Sequence, residues 1–220
     1  LSLAGAMPAS LLLHTDVPAV GLLDPEGTDV VAMGTARGTV KRLRPDVLQR
    51  DEWEVIALED GDRLVGFDRC SDEADLVFIS SDAQLLRFEA SKVRPQGRGA
   101  GGMAGISLRQ GARVIAASAV PAELLAEAVV VTIAGAEGVL PGTGTGSVKV
   151  TPLDRYPAKG RATGGVRAHR LLRGDDRLVL AWAGVGPPRA VGSECRALPL
   201  PEPDKCRDDS GSQPAGRLRR

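Results

Sequence analysis

Cations return at matching places along this 220-residue chain. One set closes short β-prone runs: Gly38-Thr39-Val40-Lys41-Arg42, Leu85-Leu86-Arg87-Phe88 and Ser147-Val148-Lys149-Val150. A second set sits in a phrase downstream of two of those runs. It reads Gly97-Arg98-Gly99-Ala100-Gly101-Gly102 and again Gly160-Arg161-Ala162-Thr163-Gly164-Gly165, flanked by Lys92, Arg94, Lys159, Arg167 and Arg170. A cation at the same point of each copy can neutralise successive phosphates of a polyanion and release its counterions. Glycine beside each arginine permits a tight loop and close backbone approach to phosphate. Phosphate contacts carry no base code, so little sequence specificity is expected. Taken singly, each cation also reads as an ordinary solvated charge, since exposed Lys and Arg are the norm. The repetition is what favours a polyanion.

Other chemistry finds little support. Tyr156, the single tyrosine, reads as a loop or rim aromatic. His14 and His169 are far apart, and His169 reads as an exposed histidine among cations. Cys70, Cys195 and Cys206 are odd in number and unpatterned, which argues against a disulfide scaffold or zinc site and for reduced cytoplasmic thiols. Gly97–Gly105 is not followed by a βαβ unit, so it is not a nucleotide loop. Gly101, Gly102, Gly164 and Gly165 read as structural, supplying positive φ or a bulge. No metal or cofactor is expected in this chain. Trp53 and Trp182 read as core.

The elements that must carry the cations form a repeat. First strands are expected at Asp29–Met33, Leu76–Ser80 and Ala128–Ile133. Second strands end in the cation. Third and fourth strands are expected at Trp53–Leu58 and Arg63–Phe67, Gly105–Leu108 and Arg113–Ala117, and Val166–Leu172 and Arg177–Trp182. Gly- and Asp-marked turns separate them. Four short strands every 40–50 residues or so fit a propeller blade. The expected organisation is half a blade at 1–28, blades at 29–67, 68–118 and 119–184 (the last with a Gly/Thr-rich insertion), a partial blade at 185–206 and a disordered tail at 207–220. In the partial blade, Ala190–Gly192 and Arg196–Leu198 are expected to be short strands. Beyond Pro201 the Pro-, Asp-, Ser-, Gly- and Arg-rich composition is expected not to order. Because it opens in mid-blade, the chain reads as a piece of a longer protein. The fold class is therefore all-β, a partial disc of four-stranded blades.

Composition allows this. Hydrophobic residues make up 43% and aromatics only 3%, so the core must be Val, Leu, Ile and Ala. No apolar run is long enough to span a bilayer, and no signal peptide is evident. With 28 cations and 28 acids the net charge is zero, which argues against a uniformly basic surface but leaves room for a basic stripe.

The phrases Gly38–Arg42, Ser81–Phe88, Val93–Arg98, Gly102–Ile106, Gly146–Val150 and Tyr156–Arg161 together resemble the C-terminal domain of the A subunit of bacterial type IIA topoisomerases, DNA gyrase and topoisomerase IV. The match covers roughly 5–200, and the Ala-, Gly-, Arg- and Asp-rich composition looks actinobacterial. The resemblance implies a β-pinwheel with strand exchange between blades and DNA bent around its basic rim. The phosphate-binding residues would be Lys41, Arg42, Arg87, Lys92, Arg94, Arg98, Lys149, Lys159, Arg161, Arg167 and Arg170. It implies no catalysis in this chain: the strand-cleaving tyrosine lies in the amino-terminal part of the full polypeptide, and ATP and Mg2+ belong to other domains or subunits. Implied partners are double-stranded DNA, that amino-terminal part and the ATPase B subunit, in a cytoplasmic, nucleoid-associated enzyme and not at a membrane. One departure stands out. Gyrases carry a Gln-Arg-Arg-Gly-Gly-like box, whereas Gln49-Arg50-Asp51-Glu52 begins like it and turns acidic. The box lies upstream of this chain, or the parent is a topoisomerase IV-like paralogue. The alternative to DNA wrapping is a propeller used for protein interaction, although the WD dipeptide and Gly-His signature are absent. A hydrolytic propeller lacks repeated inward acids, a histidine cluster and a nucleophile motif.

Overall fold

Asp75–Ser80 shows why these sequences make blades. It is a short, continuous, nearly all-apolar run bounded by turn residues, as a strand buried on both faces must be. All six of its residues are buried. Leu76 and Phe78 point into one apolar cluster and Val77 and Ile79 into the next. The period-2 alternation of a strand thus feeds two cores at once.

The computed structural model describes residues 20, 30–44, 46, 48, 52–136, 146–191 and 197–213. The half blade expected at 1–28 (Val20 apart), His14, the run Gln49-Arg50-Asp51, most of the Gly/Thr-rich insertion and Cys195 lie outside them. The strands are β1 Val31–Thr35, β2 Thr39–Leu43, β3 Leu64–Arg69, β4 Asp75–Ser80, β5 Gln84–Glu89, β6 Met103–Ala104, β7 Val114–Val120, β8 Ala128–Gly135, β9 Val148–Pro152, β10 Val166–Arg167, β11 Arg177–Val185, β12 Ala190–Val191 and β13 Ala197–Leu198. Short 3-10 turns at Ala90–Lys92, Ala122–Leu124 and Leu153–Arg155 are the helical elements among the described residues. The fold is all-β. Three antiparallel sheets run β3-β1-β2-β6, β10-β5-β4-β7 and β11-β8-β9, and β12 and β13 form a small hairpin.

In the first two sheets the outer strand comes from the next repeat. β6 pairs with β2 of the preceding sheet, Thr39 opposite Ala104. β10 pairs with β5, Val166 opposite Leu85. Parallel bridges Arg42–Pro95 and Arg87–Ala158 lead into each exchange. This corrects the expected third strands. Of Val166–Leu172 only Val166 and Arg167 form a ladder; Gly105–Leu108 forms none, the strand β6 lying just before it; and β6 and β10 complete the neighbouring sheet rather than their own. Trp53–Leu58 forms no strand.

The C-terminal segment is a second correction. Expected to stay unpacked beyond Pro201, it lies along β9 as far as it is described. Asp204 N–H donates to the Val150 carbonyl, and Ser212 exchanges both backbone bonds with Val148. Burying those backbone groups as a strand edge outweighs the poor apolar content. This strap takes the place that β6 and β10 hold in the other sheets.

The two main cores lie between sheets. One gathers Ala32, Val40, Leu76, Phe78, Leu86, Phe88, Val93 and Ile106. The other gathers Val77, Ile79, Leu85, Val130, Leu153, Tyr156, Ala168 and Leu178. Tyr156 is fully buried here, in the place Val93 holds one repeat earlier, and is not a rim aromatic. The tryptophans are the reverse case. Trp53 is 36% and Trp182 39% exposed. Trp182 stands on the edge strand β11, with its indole packed over Gly184 of the same strand.

Candidate nucleic-acid interface

The first cation set is interior. Lys41 is wholly buried, and its Nζ donates to the carbonyls of Val55, Arg98 and Ala100 at 2.8, 2.5 and 2.7 Å. Lys149 is 1% exposed and donates to Ala168 and Asp209 carbonyls, each at 3.2 Å, and to that of Arg207. Burial lowers both ammonium pKa values, with nearby acids opposing the shift. Arg42 donates to the Ala90 and Val93 carbonyls at 2.8 and 3.1 Å and to Asp72 at 2.5 Å. Arg87 pairs with Asp75 at 3.2 Å, both side chains 10% exposed. Burial raises the Asp75 pKa, with Arg87 opposing.

Lys41, Arg42, Arg87 and Lys149 therefore do not form the exposed phosphate set expected of them. Lys41, Arg42 and Lys149 donate to carbonyls and a carboxylate that hold one repeat to the next segment, whereas Arg87 pairs with Asp75 of its own sheet. A mid-strand position explains this. Each lies on a strand, β2, β5 or β9, whose central residues are buried on both faces, so a side chain pointing either way is enclosed.

The second set is where a polyanion could reach it. Lys92, Arg94, Lys159, Arg167 and Arg170 are exposed. Arg98 and Arg161 are partly exposed. Arg98 lies 3.8 Å from Asp46, and Arg161 donates to the Ala104 carbonyl. Most of these residues ride on two equivalent segments, 90–104 and 153–167. Each starts at a 3-10 turn, passes the parallel bridge and ends in the exchanged strand. Equivalence is fixed by one glycine. Gly102 and Gly165 have φ of +91 and +74 and back directly onto the carbonyls of Val40 and Leu85. A Cβ on Gly102 would sit 2.7 Å from that oxygen, so no other residue fits without displacement.

This register exposes a residue that sequence reasoning passed over. Arg155 is exposed and holds the position of Lys92, the last residue of its 3-10 turn. It interacts with Asp154 at 3.6 Å. A signal for it exists in the sequence: Arg155 and Lys92 each follow the second strand by the same step.

His169 is a further correction, for it is 1% exposed. Thr132 Oγ1 and Ser147 Oγ lie 2.9 Å from its Nδ1 and Nε2. Burial lowers its pKa. Ile106 and Ile56 occupy its place in the earlier repeats, where Ala57 and Ser107 follow as Arg170 does here, each donating its N–H to the next loop. Desolvation raises the Tyr156 phenol to about 12, and its hydroxyl reaches the Ala168 carbonyl at 3.4 Å. Among the described residues no cluster of three His, Cys, Asp or Glu could hold a metal ion, and no helix is long and apolar enough to cross a membrane.

Fold and repeat define the class, a β-pinwheel of strand-exchanged blades. The family model of the DNA gyrase C-terminal domain, beta-propeller, matches residues 74–121 and 142–181. The A subunit of DNA gyrase from Escherichia coli K12 is 33% identical over 139 residues, which is 62% of this chain and 14% of that protein. The chain thus spans only a small part of the curated relatives it matches. A solved structure of the C-terminal domain of DNA topoisomerase IV superposes with a TM-score of 0.71 at 19% identity, covering 90% of this chain and 62% of the other. The E. coli ParC C-terminal domain superposes with a TM-score of 0.63 at 17% identity, covering 94% and 90%. The chain is similar to the C-terminal domain of the DNA gyrase A subunit, and its fold is that of the topoisomerase IV and ParC C-terminal domains.

Proposed function

We propose that this domain binds duplex DNA along the segments 90–104 and 153–167 and bends it around the blades, as the wrapping module of a type IIA topoisomerase A subunit. One observation carries the reading: exposed cations recur at equivalent positions of successive blades while the other cation set is buried. Lys92 and Arg155, then Arg94, then Lys159, then Arg98 and Arg161 would meet successive phosphates of one path. Arg167 and Arg170 flank it. The domain takes no part in chemistry. Strand cleavage belongs to the amino-terminal part of the full polypeptide. ATP and Mg2+ belong to other domains and to the B subunit of a cytoplasmic enzyme that changes DNA supercoiling.

The names of the relatives, a DNA gyrase and a DNA topoisomerase IV, support the parent activity. Electrophoretic retardation of a long duplex with rising salt tests the binding. Retardation should weaken steeply, with a log–log slope of about −0.9 for each phosphate contacted. Neutral net charge predicts fewer contacts than a strongly basic homologue makes. No retardation at low salt, or binding indifferent to salt, would overturn it in favour of a protein-interaction propeller.

A further inference from the structure

The strap along β9 is a third copy of the exchange loop. Gly211, at φ +71, backs onto the Val148 carbonyl as Gly102 and Gly165 back onto those of Val40 and Leu85. Lys149 takes the carbonyls of Arg207 and Asp209, 58 and 60 residues on, as Lys41 takes those of Arg98 and Ala100, 57 and 59 on. Arg170 N–H donates to the Asp209 carbonyl as Ala57 and Ser107 donate to those of Ala100 and Thr163. Cys206-Arg207-Asp208-Asp209-Ser210-Gly211 therefore stands in register with Gly97–Gly102 and Gly160–Gly165. Arg207 is the third arginine, after Arg98 and Arg161.

The copies differ just after the arginine. The next residue is Gly99 in the first copy, Ala162 in the second and Asp208 in the third. Asp208 holds the Arg207 guanidinium with two bonds, Nε to Oδ1 at 3.1 Å and Nη2 to Oδ2 at 3.3 Å. Both side chains remain open to solvent, 30% and 47% exposed. Among the described residues, Arg161 has no carboxylate within ion-pairing distance. A phosphate arriving at Arg207 would have to displace a bidentate carboxylate and sit beside the exposed Asp209 as well.

We propose that Asp208 masks the third rim arginine and so ends the phosphate track at the C-terminal strap. This rests on the DNA reading above. The strap supplies the exchanged strand that the last sheet needs without offering its own cation to the duplex.

Salt titration of the full chain on a long duplex, read by fluorescence anisotropy, tests it. Arg161→Ala calibrates the assay and should flatten the slope by about 1. Asp208→Asn, and Asp208→Ala after the residue of the second copy, should tighten binding and steepen the slope by about 1. Glu202→Gln removes the same charge from an exposed place and should leave the slope alone. Arg207→Ala should do nothing in the parent chain and should erase the gain in Asp208→Asn. A slope for both Asp208 variants equal to that of Glu202→Gln would overturn the masking. So would a flatter slope for Arg207→Ala alone, which would mean that Arg207 already contacts phosphate. A parent chain that fails to bind while Arg161→Ala is equally silent removes the DNA reading, and the masking with it.

Discussion

The first and second exchange junctions perform one task with opposite chemistry. At the first, carbonyls of Val55, Arg98 and Ala100 converge on the Lys41 ammonium. At the second, the same place on the strand is Leu86, fully buried. There the corresponding carbonyls of Gly105 and Thr163 accept from the backbone N–H groups of Ala162 and Ser107. The third junction returns to lysine. A charge and a leucine are interchangeable in this architecture only because each comes with its own solution for the carbonyls. A repeated lysine is therefore no guide to a ligand by itself.

Exchanging the two should break the equivalence. Leu86→Lys places an ammonium where two of the corresponding carbonyls, those of Gly105 and Thr163, already accept backbone N–H groups. It should cost about 3–5 kcal/mol, the penalty typical of a buried charge without arranged partners. Lys41→Leu leaves carbonyls short of donors and should cost about 1–3 kcal/mol. Urea unfolding of both variants measures the asymmetry. Equal, small losses would mean that the junctions are loosely packed and the comparison is empty.

Acid sharpens the contrast between the third core and the earlier ones. His169 stands where Ile56 and Ile106 stand, and burial holds its pKa below the ordinary 6.5. The unfolded chain then binds a proton that the folded chain refuses. Stability should fall as pH drops below about 6.5 and level off once the folded value is passed. His169→Ile should flatten that fall in thermal melts between pH 7 and pH 5 or so, at some cost in baseline from the unpaired Thr132 and Ser147. An unchanged pH profile would show that another group governs it.

The smallest effect belongs to Tyr156. Its hydroxyl makes a long bond, 3.4 Å, to the Ala168 carbonyl that Lys149 also serves, and a second with the Thr151 side chain. Tyr156→Phe should cost about 1 kcal/mol or less, since the ring still fills the place of Val93. Denaturant midpoints check it.

The blades are legible in the sequence because strand, turn and cation recur in register, and recurrence is visible without coordinates. Burial of the first cation set is not. Val40-Lys41-Arg42-Leu43 reads as a strand with a wet face, because the segment that covers it is the loop around Arg98, far away in sequence. Leu86 at the equivalent place is the one hint that this face is dry. The second set is legible because it lies in loops whose glycines announce them. The strap is hidden for a related reason. Cys206–Gly211 keeps the shape of the exchange loop while losing most of its letters, and only the final glycine and the arginine survive. His169 misleads because neighbouring cations suggest water, whereas it and Ala168 are both buried between the exposed Arg167 and Arg170, in the place that Ile56 and Ile106 hold earlier.

The wait between each lysine and its carbonyls has a consequence for synthesis. Lys41 needs groups 57 and 59 residues downstream, and Lys149 needs groups 58 and 60 downstream. Until those residues leave the ribosome, β2 and β9 are raw sheet edges, open to any passing strand. A charged lysine on such an edge discourages mispairing and aggregation. The same side chain that later disappears into the junction thus stands guard over the unfinished blade first, and it is silenced only by the segment it was waiting for.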